Sequence, residues 1–418
     1  MLSALLAPRP TTVPLPPVDV AWYRTPLAPE VKRRLHELSD LKAAVQTLGF
    51  LAQLALWGAL AVHFAHLSAR PRPLAALFFS LLYGAQANFL INGMHELGHG
   101  QVFRTAWLNH FFCRIVSFLG WLHPDLFFSS HLRHHRFTQH NAPARLSSGV
   151  TVPLDLENPM PVRISAWDFL GFGFINMRGF VDIVLRQTVA AALGVFPTGH
   201  LGWRRDWELY LYPADDATRA RADRFAPVLW ARVMLVGHAA IAWAALERGL
   251  WLVPVLVSLG PFYNGWLFFL CNSTQHVGLQ PDRADFRLNT RTFYRMYNGT
   301  KRKPAQNNTH PAFKRNPLPQ PYARHSAQPA RATLVLGKYQ LQQKAAHRPQ
   351  HHPLTLALYP AFIATCVLLL LPAQHMNWHT EHHMYAAVPC YNLAELHEAI
   401  KHDLPPTPDG LVAVWTRM

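Results

Sequence analysis

The sequence predicts an all-α integral membrane protein: four transmembrane helices in two hairpins beneath a cytosolic histidine-rich helical cap. Three observations carry that expectation. Long uncharged apolar runs have the length of a bilayer crossing; they come in pairs joined by very short connections; and histidines recur at helical spacing in the segments between them.

The elements follow in order. Residues 1–42 read as a partly disordered cytosolic tail, because MLSALLAPRPTTVPLPPVD is Pro-rich and lacks the basic and apolar regions of a signal peptide. Ala43–Leu67 has 25 residues, and Leu74–Asn92 has 19, without Asp, Glu, Lys or Arg. Each is long enough to cross a hydrocarbon core of roughly 30 Å. Val228–Leu246 is broken only by Arg232, placed where a long side chain can reach back to the headgroups. Gly249–Pro281 has 33 uncharged residues, more than a membrane needs, and Gly260-Pro261 is a natural point of interruption.

The joints Ser68–Pro73 and Glu247–Arg248 belong on the far side of the membrane. All three histidine boxes then share the near side. The central stretches Trp107–Leu122 and Phe169–Phe196 are apolar but interrupted by charges, and read as interfacial helices. Residues 43–294 thus form one membrane domain, and 359–418 its C-terminal part.

Between these parts, 295–358 is basic, rich in Pro, Gln and Asn, and without an apolar period; it reads as a disordered insert. The following run Leu354–Leu371 is 18 uncharged residues long, but a single crossing there would put the last box on the wrong side, so it is expected to be re-entrant, interfacial or not native to the functional protein. The net charge of +16 is concentrated here, since Phe286–Thr380 holds thirteen Lys or Arg and no acid. That distribution suits the positive-inside bias rather than binding of nucleic acid. Cys113, Cys271, Cys366 and Cys390 lack any CxxC spacing and sit far apart, which argues against both a zinc ribbon and a disulfide framework.

The boxes are HELGH (His95, His99), HLRHH (His131, His134, His135) and HTEHH (His379, His382, His383). Spacings of three and four place the imidazoles of each box on one helical face. Asn272 and His276 repeat the spacing at the end of the fourth run, which makes His276 a ninth ligand candidate and Asn272 a direct or water-mediated one. Nine imidazoles exceed what one octahedral ion accepts and imply at least two metals, with iron, zinc, copper and nickel all compatible with nitrogen ligation. HELGH also matches the zinc-protease pattern with Glu96 as base, but that reading leaves both HxxHH boxes unused. Glu96 and Glu381 are candidates to orient box imidazoles.

The segments MHELGHGQVFR, SSHLRHHRFTQH, NSTQHVGL and MNWHTEHHMYAAVPCYNLAELH resemble the membrane fatty acid desaturase superfamily, the histidine-box diiron desaturases and hydroxylases, over roughly Leu74–Leu404. The resemblance implies four spans with a cytosolic cap, two irons held by these nine histidines, and Asn272 at a water-bridging position. It further implies O2 as cosubstrate, a fatty acyl substrate (acyl-CoA or acyl-lipid), and a separate electron donor of cytochrome b5 or ferredoxin type, since no haem, cluster or flavin motif is fused. The expected location is the endoplasmic reticulum in a eukaryote or the inner membrane in a bacterium. One departure stands out. His276 and His379 are 103 apart, where the superfamily keeps them within a few tens of residues, so 295–358, with Thr365–Gln374 as a candidate extension, is read as lineage-specific or retained noncoding sequence. Acyl desaturation is the leading reaction; a lipid or carotenoid hydroxylase or ketolase on the same site, and a pseudoenzyme disabled by the insert, are the alternatives.

Overall fold

The computed structural model describes residues 20–145, 149, 151–155, 157, 170–171, 173–195, 225–293, 377–408 and 410–415. The insert 295–358, the run Leu354–Leu371 and tail residues 1–19 lie outside them. Among the described residues the fold is helical, with a single antiparallel hairpin of strands β1 (Pro143–Arg145) and β2 (Thr151–Pro153).

Tail residues Pro29–Leu35 form helix α1. The first apolar run begins three residues earlier than its charge pattern suggested, at α2 (Asp40–Val62), because Ser39 caps it by accepting from the Lys42 amide at 3.3 Å. α2 continues through a π-helical turn to Leu67. Pro73 opens α3 (Pro73–Ala87), where its missing N–H costs nothing, and α4 (Leu90–Gly98) extends that path into the first box. After the central stretches comes α9 (Phe225–Leu246), preceded by α5 (Ala106–Gly120), α6 (Pro124–Phe137), α7 (Met177–Phe180) with a π-helical Val181–Val189, and α8 (Ala190–Ala192).

Among the described residues, three helical paths are long and apolar enough to cross a membrane: Asp40–Leu67, Pro73–Gly98 and Phe225–Leu246. Leu41, Val45, Leu56, Leu74, Phe78, Val236 and Trp243 project outward from them, an apolar surface suited to lipid. Among the described residues, α5 and α6 would make a fourth crossing if they act as one span despite a bend of 105°.

The fourth expected run is not one helix. It divides into α10 (Leu252–Leu259), a 3-10 turn at Gly260–Phe262 and α11 (Trp266–Thr274). Gly260 permits the break to pack closely, since a Cβ there would lie 2.6 Å from the Tyr83 ring.

The α5/α6 bend is built from local chemistry. Trp121 takes a left-handed conformation (φ 55°) that ends α5, and Pro124 starts α6. Trp121, Val184, Trp230, Met234 and Phe262 then pack around the corner. Arg114 and Asp125 bridge it at 3.1 Å, each side chain only 13% exposed. The result aims α6, which carries the second box, across the end of α4. Short helices α12 (Phe286–Asn289), α13 (His379–Met384), α14 (Leu393–Ile400) and α15 (Leu411–Trp415) complete the fold.

Candidate metal centre

Helix geometry brings the boxes together. In α4, His95 and His99 lie one turn apart, and Gly98 between them lets α6 approach: a Cβ there would overlap the Phe128 ring at 1.8 Å. In α6, His131 and His135 share one face while His134 points around the helix. In α13, His379 and His383 share a face and His382 diverges from them.

The nine imidazoles gather into two groups. His95, His99, His131, His135 and His382 form one; His134, His276, His379 and His383 form the other, with one ring nitrogen from each member lying within 4.8 Å of the rest of its group. In the first, His99 and His131 approach Nε2 to Nε2 at 3.3 Å, and His135 and His382 at 3.2 Å. In the second, the Nε2 atoms of His276 and His379 lie 2.7 Å apart, and those of His379 and His383 lie 3.1 Å apart. The third box therefore reaches the other two despite the long separation in sequence. Asn272 lies on α11, one turn before His276, and is half-buried.

Outer hydrogen bonds decide which nitrogens face inward. His134 Nδ1 donates to Asp155 at 3.0 Å, and His131 Nδ1 to Glu157 at 3.1 Å. His95 Nδ1 donates to Glu96 at 2.8 Å. His276 Nδ1 donates to the Asn289 carbonyl at 3.1 Å. His383 Nδ1 faces the Thr138 hydroxyl at 3.0 Å, whose own proton is committed to the His134 carbonyl at 2.6 Å. A neutral imidazole has one N–H, so each of these rings presents an Nε2 lone pair to the cluster.

In the second group three of the four rings are fixed this way. His134, His276 and His383 bring these nitrogens within 4.8 Å of one another, and the buried Nδ1 of His379 has no hydrogen-bond partner among the described residues, so a cation bound among the four would use donors that the protein leaves unsatisfied. The donor set thus fits a metal ion in each group, with carboxylates or carbonyls behind the ligands as metal sites require.

Electrostatics agree with neutral ligands except at His134, where burial is outweighed by Asp155 and Glu157, which raise the ring to about 9, so that metal binding there would displace a proton. Burial holds His379, His382 and His383 well below the ordinary imidazole value, and for His379 and His383 the neighbouring histidines add to the effect. Burial alone would raise Asp155, but the His134 ring and the Gln139 amide facing it keep its carboxyl below the usual range.

Two sequence expectations are refined here. Glu96 does back a box imidazole, and by turning to His95 Nδ1 it sits outside the ligand cluster, unlike a protease base. Glu381 does not: its described partners are Thr292 and His397, the latter at 2.5 Å. Asp155, Glu157, Thr138 and Asn289 went unread in the sequence. The only local signal was an acidic pair, DLE, following the β hairpin.

Two further histidines among the described residues have structural partners. His123 meets the Thr188 hydroxyl at 3.0 Å, and His238 is held by Ser258 and the Phe118 carbonyl.

A family model described as fatty acid desaturase matches residues 71–310. No curated protein and no solved structure matches the chain. The matched span contains the first two boxes and His276 and stops before the third, whose place in the site rests on the geometry above. With more than half of the 418 residues covered, the chain belongs to the fatty acid desaturase family.

Proposed function

We propose that this chain is a membrane-bound diiron oxidoreductase that uses O2 and two electrons to introduce a double bond into a fatty acyl chain. The observation that carries the reading is the pair of separate imidazole groups, each with inward lone pairs, in a member of this family. An acyl chain offers only unactivated C–H bonds, which acid-base side chains do not break; two bound irons, reduced from outside, supply the oxidising power together with O2.

The protein's own contribution is position and enclosure. His95, His99, His131, His135 and His382 would hold one iron; His134, His276, His379 and His383 the other, with Asn272 placed to reach it through water. Asp155, Glu157 and Glu96 keep the imidazoles in the tautomer that binds metal. Deep burial of the third box, with His382 1% exposed, keeps bulk water from the reacting carbons. The outward apolar helices present the site to substrate within the membrane, as acyl-CoA or acyl-lipid. Electrons come from a separate cytochrome b5 or ferredoxin type of protein, and the membrane is the endoplasmic reticulum in a eukaryote or the inner membrane in a bacterium.

Lipid profiling of an expressing host by mass spectrometry tests the proposal. Acyl species that have lost two hydrogens support it. Chains that instead gain an oxygen assign the site to hydroxylation, and an unchanged profile from iron-loaded protein with a working donor overturns the enzyme reading.

A further inference from the structure

Helix α13 supplies ligand candidates to both groups, His382 to one and His379 and His383 to the other, yet it is only six residues long. An isolated helix of that length does not hold its own geometry in water. Something else must fix its rotation.

Glu381 lies between those ligands and points away from them. Its side chain is completely buried, a costly place for a carboxylate unless it is fully engaged. It accepts from the Thr292 hydroxyl and from Nδ1 of His397, which is itself 0% exposed on α14. The Trp378 ring packs against His397 at 4.5 Å, and the Thr380 amide donates to the same Thr292 hydroxyl at 3.2 Å. Glu381 is thereby tied to α14 on one side and to the segment after α12 on the other, two anchors from different parts of the chain.

We infer that Glu381, His397 and Thr292 are positioning residues that set the rotation of α13 and so aim its imidazoles at both metals at once. The inference rests on the metal-centre reading above. Turning α13 about its axis would withdraw His382 from one group and His379 and His383 from the other, so disruption of the anchor weakens both sites together.

The test is Fe(II) titration of the metal-free, full-length protein in detergent, read by metals bound per chain, affinity and the Mössbauer spectrum. His397→Leu is expected to weaken both metals by about 10- to 100-fold, as loss of an outer partner does. His397→Asn, which keeps a donor near the Nδ1 position, is expected to restore most of the affinity and the wild-type spectrum. Glu381→Gln, which keeps an acceptor for Thr292, falls between them. Wild-type affinity and spectrum in His397→Leu would overturn the inference, as would equal losses in the Leu and Asn variants. A wild-type chain that binds no iron at all would instead defeat the metal-centre reading.

Discussion

The two histidine groups are built to different standards of enclosure. In the four-histidine group three imidazoles have fixed outer acceptors: Asp155, with a fully buried carboxylate, the Asn289 carbonyl and the Thr138 hydroxyl. In the five-histidine group the acceptors are Glu96 and Glu157, the latter side chain 28% exposed; the Nδ1 of His382 lies 3.7 Å from Glu96, and the Nδ1 atoms of His135 here and of His379 in the other group have no hydrogen bond among the described residues. The difference teaches that the four-histidine group is held by buried acceptors, whereas the five-histidine group relies in part on one that water can reach.

The largest expected effect tests the four-histidine group. His134→Ala should abolish turnover and bring bound iron from about two to about one per chain, with membrane insertion unchanged; metal analysis and a membrane fractionation check it, and retained turnover would break the assignment. Next comes a paired comparison of outer acceptors. Asp155→Ala should weaken metal binding by roughly 10- to 100-fold, whereas Glu157→Ala should cost less, because water can replace a partly exposed acceptor. Equal losses, measured by iron titration, would erase the asymmetry.

Acid gives a third handle on the same histidines. His379, His382 and His383 stay neutral in the fold, while in the unfolded chain they take up protons near their ordinary value of about 6.5. The unfolded state therefore binds more protons below that value, and stability falls as pH falls. The Tm of the metal-free protein in detergent should be level above about pH 6.5 and decline beneath it; a Tm that rises on acidification would contradict neutral ligands.

The smallest effect is expected from the connection itself. Phe293 donates its amide to the Asn377 carbonyl at 3.1 Å, and the Asn377 side chain donates back to the Phe293 carbonyl at 3.1 Å, although the two are 84 positions apart. Closing a flexible loop of that length costs only about 2 kcal/mol more than closing one of ten residues. Replacing 295–358 by a short Gly/Ser linker should leave iron content within about twofold of wild type; loss of both metals would show that the segment contributes to the centre. The same contacts remove the sequence-level reason for reading the chain as a disabled pseudoenzyme.

Much of this was legible in the sequence because helical period is local information. A spacing of four declared which imidazoles share a face, but a spacing of three did not, since His134 and His382 each turn to the group opposite that of His131 and His379; uncharged length declared the membrane paths. What the sequence hid was long-range. Asp155 is 21 positions from His134, Thr138 is 245 from His383, and nothing in their neighbourhoods marks them as partners. Glu381 misled for a related reason: lying inside a box, it faces outward by the same helical rotation that turns its neighbours in. The fourth run was read by length, and the break at Gly260-Pro261 shows that composition alone does not distinguish one long helix from two short ones.

Neighbouring residues His134 and His135 serve different groups from a single α-helix. Successive side chains on such a helix are separated by a fixed angle and rise. The backbone of α6 therefore acts as a ruler between the two centres, setting their separation without reference to what either one holds. Adding or removing one residue between His131 and His134 would rotate the marks by more than a quarter turn, and no adjustment elsewhere could keep both in register.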